Sequence, residues 1–131
     1  QGEAHTTVRK RAMLCPGVGI WADVLVKHAV PIGDLGIEEA ARDTFERGLA
    51  DALIVSGVAT GEPTGVEDLR KVKGTCPSAP LLVGSGARVS NAGDLLEYAD
   101  GLIVASSLKV DGILSNPVDV ERVRELRAVM S

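Results

Sequence analysis

At 131 residues, with 45% apolar and 24% charged side chains, the chain suits one globular domain with a useful core. A formal net charge of −4 argues against general binding to nucleic acid or to an anionic membrane. The three aromatics, Trp21, Phe45 and Tyr98, imply an aliphatic core and few platforms for stacked bases.

Cys15 and Cys76 are too few and too far apart for a zinc pattern or a disulfide framework, and they read as free thiols in a reducing cytoplasm. No apolar run approaches the ~20 residues that cross a bilayer, and no secretory leader is visible. A start at Gln1 rather than Met reads as the tail of a longer or processed chain.

Residues 1–19 read as a remnant helix and lead-in, with Ala4, Val8 and Ala12 at helical spacing. The basic run Arg9-Lys10-Arg11 reads as a solvated helix end, and Cys15-Pro16-Gly17 breaks the chain. From residue 20 to 131 four β/α units are expected, the whole chain forming a single domain. The first strand spans Ile20 to Lys27. It puts Ala22, Val24 and Val26 on an apolar face, and Trp21, Asp23, Leu25 and Lys27 on the other. A helix follows from Ile37 to Arg47, ended by Gly48. Ala52 to Ser56 is the second strand, and Gly57 to Gly65 is a loop. Thr64 and Glu67 form a capping-box pattern for a helix over residues 65–73. Leu81 to Val83 is the third strand, followed by a short helix capped by Ser90 or Asn91. Leu102 to Ala105 is the fourth strand. Asn116-Pro117-Val118-Asp119 reads as cap, first-position proline and first-turn acid of a last helix striped with Val120, Val123, Leu126 and Val129.

Short, continuously apolar strands alternating with helices are the pattern of a parallel sheet. Right-handed crossovers wound in one direction put all the helices on one side, as in half of a (β/α)8 barrel. A doubly wound four-stranded sheet, serving as a ligand-binding module with helices on both faces, is the alternative.

Phosphate sites of (β/α)8 barrels lie in the loops after the last two strands, at the start of a short extra helix. Here those loops carry Gly84-Ser85-Gly86 and Ser106-Ser107, small residues whose backbone N–H groups an anion can reach. Lys109 is a candidate for added charge, and Asp111 for a turn. Asp23 and Lys27 share a strand face, so the carboxylate is placed to orient a lysine at the mouth, which makes the pair the candidate catalytic groups. His28, Ser56 and Gly57 are further ligand candidates in the adjoining loops. No metal-ligand spacing, Walker loop, Gly-x-Ser-x-Gly elbow or complete dinucleotide fingerprint occurs, so no cofactor is expected.

Four segments together resemble the BtpA/SgcQ family: residues 21–29, residues 48–57, Val83-Gly84-Ser85-Gly86 and residues 100–112, with Asn116-Pro117-Val118-Asp119 continuing the match. The resemblance runs from about Val18 to Met130. It implies an α/β fold, the C-terminal half of a (β/α)8 TIM barrel of the phosphate-binding type, since family chains are about twice this length. Family roles in photosystem I biogenesis and in sugar operons leave two expectations. One is a protein that binds a small phosphorylated metabolite, its parent a sugar-phosphate or nucleotide-related enzyme. The other is a non-catalytic assembly factor or scaffold. Four barrel strands also leave two open edges and an apolar inner face, so closure by a second copy or by an N-terminal half is expected. The location expected is cytoplasmic, peripheral to a membrane if the organism is photosynthetic.

Overall fold

The computed structural model describes residues 3–24, 36–57 and 63–131. Four strands form one parallel sheet in the order β1-β2-β3-β4: β1 (Trp21–Asp23), β2 (Ala52–Val55), β3 (Leu81–Val83) and β4 (Gly101–Leu102). A doubly wound sheet reverses its strand order at a switch point, and this one does not. The helices are α1 (Ala4–Leu14), α2 (Ile37–Arg42), α3 (Pro63–Thr75), α4 (Ala92–Leu96) and α5 (Val120–Val129).

Alternation along each strand decides which face meets the helices. Val24, Leu53, Val55, Leu81 and Val83 are buried in one core with Ala40 and Ala41 of α2, Leu69 and Val72 of α3, and Leu95 of α4. Each such leucine contributes about 1.5–3 kcal/mol by leaving water. The other face is open: Trp21 is 63% exposed and Ile103 41%. This is the arrangement of half of a (β/α)8 barrel, with helices outside and the inner face bare.

Several local expectations shift. The second helix turns from α to π at Asp43–Arg47 after Thr44 Oγ1 donates to the Ala40 carbonyl. It ends at Arg47 with Gly48 as its C-cap, as expected; Gly48 stays right-handed (φ −75°), and Leu49 takes the left-handed conformation at φ 52°. Helix α3 already begins at Pro63, so Thr64 lies within its first turn, and Glu67 is held by Arg70 at 2.6 and 2.9 Å rather than closing a capping box. That guanidinium keeps the Glu67 carboxyl below the usual range. Arg11 is not merely solvated: it reaches Asp51 at 3.8 Å. Strand β4 is shorter than expected. Its ladder closes with Ile103 N–H donating to the Val83 carbonyl, and no described strand pairs with its other edge. Helix α5 begins at Val120, not beside Pro117, because residues 117–119 are pinned against residues 108–110. Val110 N–H donates to Pro117 O, Asp119 N–H donates to Leu108 O, and Val118 bridges Lys109. The cap is therefore Asp119, which accepts from Glu121 N–H at 3.0 Å. Of the expected stripe on α5 only Leu126 is buried.

The architecture also contains a repeat of two units. Ala50-Asp51-Ala52-Leu53-Ile54-Val55 and Ala99-Asp100-Gly101-Leu102-Ile103-Val104 hold equivalent places before and along β2 and β4. Asp51 Oδ2 accepts from Ile20 N–H at 2.7 Å, and Asp100 Oδ2 accepts from Leu81 N–H at 2.8 Å. Each aspartate also pairs with a base from the helix before the odd strand: Arg11 of α1 at 3.8 Å and Lys73 of α3 at 2.9 Å. The carboxylate stands in for a carbonyl that the next strand is too short to supply.

Candidate functional site

The tips of β3 and β4 converge on one cleft of about 760 Å³. Its walls come first from Gly84, Ser85, Gly86 and Arg88, then from Ser106, Ser107 and Arg122. Gly86 has φ 85°, a conformation that other residues enter at a cost, and it turns the chain away from β3. Of the two cap candidates Ser90 and Asn91, Asn91 holds the N-cap position of α4, but its side chain braces this loop, accepting from Arg88 N–H at 2.8 Å and donating to the Gly86 carbonyl at 3.1 Å. Ser107 ties the two tips together by donating to the Ala87 carbonyl at 2.9 Å. Among the described residues, the backbone N–H groups of Ser85, Gly86, Ala87, Ser106 and Ser107 donate to no acceptor.

Two arginines were invisible as site residues in the sequence. Arg88 follows the glycine loop directly, but Arg122 comes from α5, more than thirty residues on. Arg122 is fixed by Ser107 O at 3.3 Å and by Asp119 at 3.6 Å. The cleft is of mixed sign, since Asp119, Glu121 and Glu125 also line it. Lys109 does not line it; that lysine is in the bridge to Val118. Asp111 serves a turn, at φ 56°.

The other candidates lie at the neighbouring tips. Asp23 ends β1 and accepts a hydrogen bond at 2.5 Å from the hydroxyl of Ser56, which follows β2. Gly57 N–H donates to Ser85 Oγ at 2.9 Å. Side-chain hydrogen bonds thus link all four tips in sequence. Lys27 and His28 lie outside the described residues, as do Leu25 and Val26 of the expected first strand. Both cysteines are free: Cys15 is exposed, and burial pushes the thiol of Cys76 upward.

These features define a parallel α/β protein, half of a TIM-barrel-like fold, with a cleft at the C-terminal tips of its last two strands. The sequence model of the BtpA family matches residues 1–131. The chain is 47% identical over 123 residues to the photosystem I biogenesis protein BtpA of Synechocystis, covering 94% of this chain and 43% of that one. It is also 47% identical over 126 residues to a protein of Thermococcus kodakarensis, covering 96% and 47% respectively. A third relative, the sgc region protein SgcQ of Escherichia coli, is 34% identical over 103 residues, covering 79% of this chain and 38% of that one. The chain belongs to the BtpA family. It spans about half the length of the curated relatives it matches. Among the described residues, no helix is long and apolar enough to cross a membrane.

Proposed function

We propose that the cleft between the β3 and β4 tips holds the phosphate of a small phosphorylated metabolite. One observation carries this reading: five backbone N–H groups without acceptors among the described residues belong to residues around one cleft that also contains Arg88 and Arg122. An oxyanion with several lone pairs matches such a set, and arginine adds paired, charge-assisted donors. Ser85 keeps a hydroxyl hydrogen to donate, since its oxygen accepts from Gly57. Ser107 has committed its hydroxyl hydrogen to Ala87, so it offers its amide. In the whole protein, taken here as a sugar-phosphate or nucleotide-related enzyme, Asp23 with Lys27 would supply chemistry at the mouth. The relative's name in photosystem I biogenesis belongs to that relative, and no geometry among the described residues favours an assembly role.

Titration with inorganic phosphate, followed by amide NMR shifts, tests the site. Shifts should concentrate at residues 85–88 and 106–107. Arg122→Gln and Arg88→Gln should each weaken binding about tenfold, the equivalent of one charge-assisted hydrogen bond. Shifts scattered over the surface, or unchanged affinity in both variants, would remove the assignment.

A further inference from the structure

Beside the cleft, and outside its lining, stands the pair Asp23 and Ser56. The Ser56 hydroxyl donates to Asp23 Oδ1 at 2.5 Å, so its hydrogen is committed and its oxygen presents lone pairs. On its other side Ser56 lies against Gly84: a β-carbon there would meet the Ser56 oxygen and come within 2.6 Å of Ile54 Cγ2. Gly84 in turn lines the cleft. A carboxylate, a hydroxyl oxygen and a glycine thus lead in one line from the β1 tip to the cleft, and Asp23 is exposed.

We propose that Asp23 and Ser56 form a second subsite that binds a hydroxyl group of the same ligand, which makes that ligand a phosphorylated polyol or sugar. The proposal rests on the phosphate reading above. The pair presents acceptors, and its chemical complement is a donor such as an alcohol O–H. Its carboxylate repels a second phosphate, which favours a monophosphate over a nucleoside di- or triphosphate. The cleft itself gives a base no stacking partner among the described residues: its lining has no aromatic residue, Phe45 and Tyr98 pack against the core on the helix side, and the exposed Trp21 lies outside that lining.

The test compares two probes of nearly equal size, glycerol 3-phosphate and n-propyl phosphate, which differ by two hydroxyls. Inorganic phosphate and adenosine monophosphate are the references. This chain should bind glycerol 3-phosphate about tenfold more tightly than propyl phosphate, as one hydrogen bond to a charged group implies. In Asp23→Ala that ratio should fall to about one, and a cooperative melting transition shows that the variant is folded. Ser56→Ala should reduce the ratio less, because Asp23 remains. Equal affinity for the two esters, with inorganic phosphate still bound, would overturn the second subsite and leave the phosphate reading standing. Tighter binding of adenosine monophosphate than of glycerol 3-phosphate would overturn the ligand class. Failure of every probe, inorganic phosphate included, would overturn the phosphate reading and this proposal with it.

Discussion

A β-carbon added at residue 84 would collide with Ile54 Cγ2 at 2.6 Å and with the Ser56 hydroxyl, so Gly84 is required by packing between strand tips. Residue type alone suggests another reason, close approach of an anion to the backbone. Gly84→Ala should cost about 1–3 kcal/mol in urea unfolding, the usual range for forced overpacking. Ser56→Gly in the same chain should recover part of that loss, because one of the two colliding groups is gone. Equal losses in both backgrounds would disprove the collision. Asp100 makes a different kind of contact. Its hydrogen bond to the Lys73 ammonium, and then the one from Leu81 N–H, hold its carboxyl below the usual carboxylate range. A folded value below the unfolded one contributes stability above about pH 4, and that contribution is lost as pH falls through the folded value. Asp100→Asn should therefore melt below wild type at neutral pH, modestly because the side chain is half exposed. The gap should close under acid conditions. A gap that stays constant across that range would mean the ionised form is not favoured. Small residues and the Asp23 carboxylate could be picked out by type and spacing, since strand periodicity sets their face. Arg88 and Arg122 could not, because an arginine's place depends on what folds against it.

Strands and helices were legible where burial alone decides them. Leu81–Val83 emerges with the expected bounds, and the two faces of β1 are as alternation assigns them over the described residues. Ends were less legible, because a cap is chosen by partners distant in sequence. Asn116-Pro117 has the composition of a helix start, yet Pro117 O is taken by Val110, and the helix waits for Asp119. The shared aspartates of β2 and β4 acquire meaning only once Ile20 and Leu81 are seen to donate to them. The displaced cap bears on binding. Asp119 both caps α5 and competes for Arg122 at the cleft. Serine caps about as well as aspartate but carries no charge. Asp119→Ser should thus leave the melting temperature nearly unchanged and tighten inorganic phosphate binding, by removing an anion beside the anion. Weaker phosphate binding in a variant of unchanged stability would instead mean that the Asp119–Arg122 contact holds the guanidinium in its binding position.

For the whole molecule the consequence of four parallel strands in sequential order is an unclosed sheet. A full barrel hides its inner face by joining last strand to first. Here Trp21 on the β1 edge is 63% exposed, Ile103 beyond β4 is 41% exposed, and the Val120, Val123 and Val129 stripe of α5 lacks cover. Whether a second copy covers this open face is a question of concentration. The sole tryptophan reports which state prevails. At low concentration Trp21 should emit at the long wavelength of a water-exposed indole and be quenched readily by acrylamide. If copies pair through the open face, raising the protein concentration should shift emission to the blue and protect it from quencher, with a midpoint matching the dimerisation constant from sedimentation. Should emission stay red while sedimentation detects a dimer, the copies meet elsewhere, and the inner face awaits a different chain. Blue, protected emission at every concentration would contradict the open half-barrel itself, because burial of Trp21 within one chain requires the sheet to fold over its own inner face.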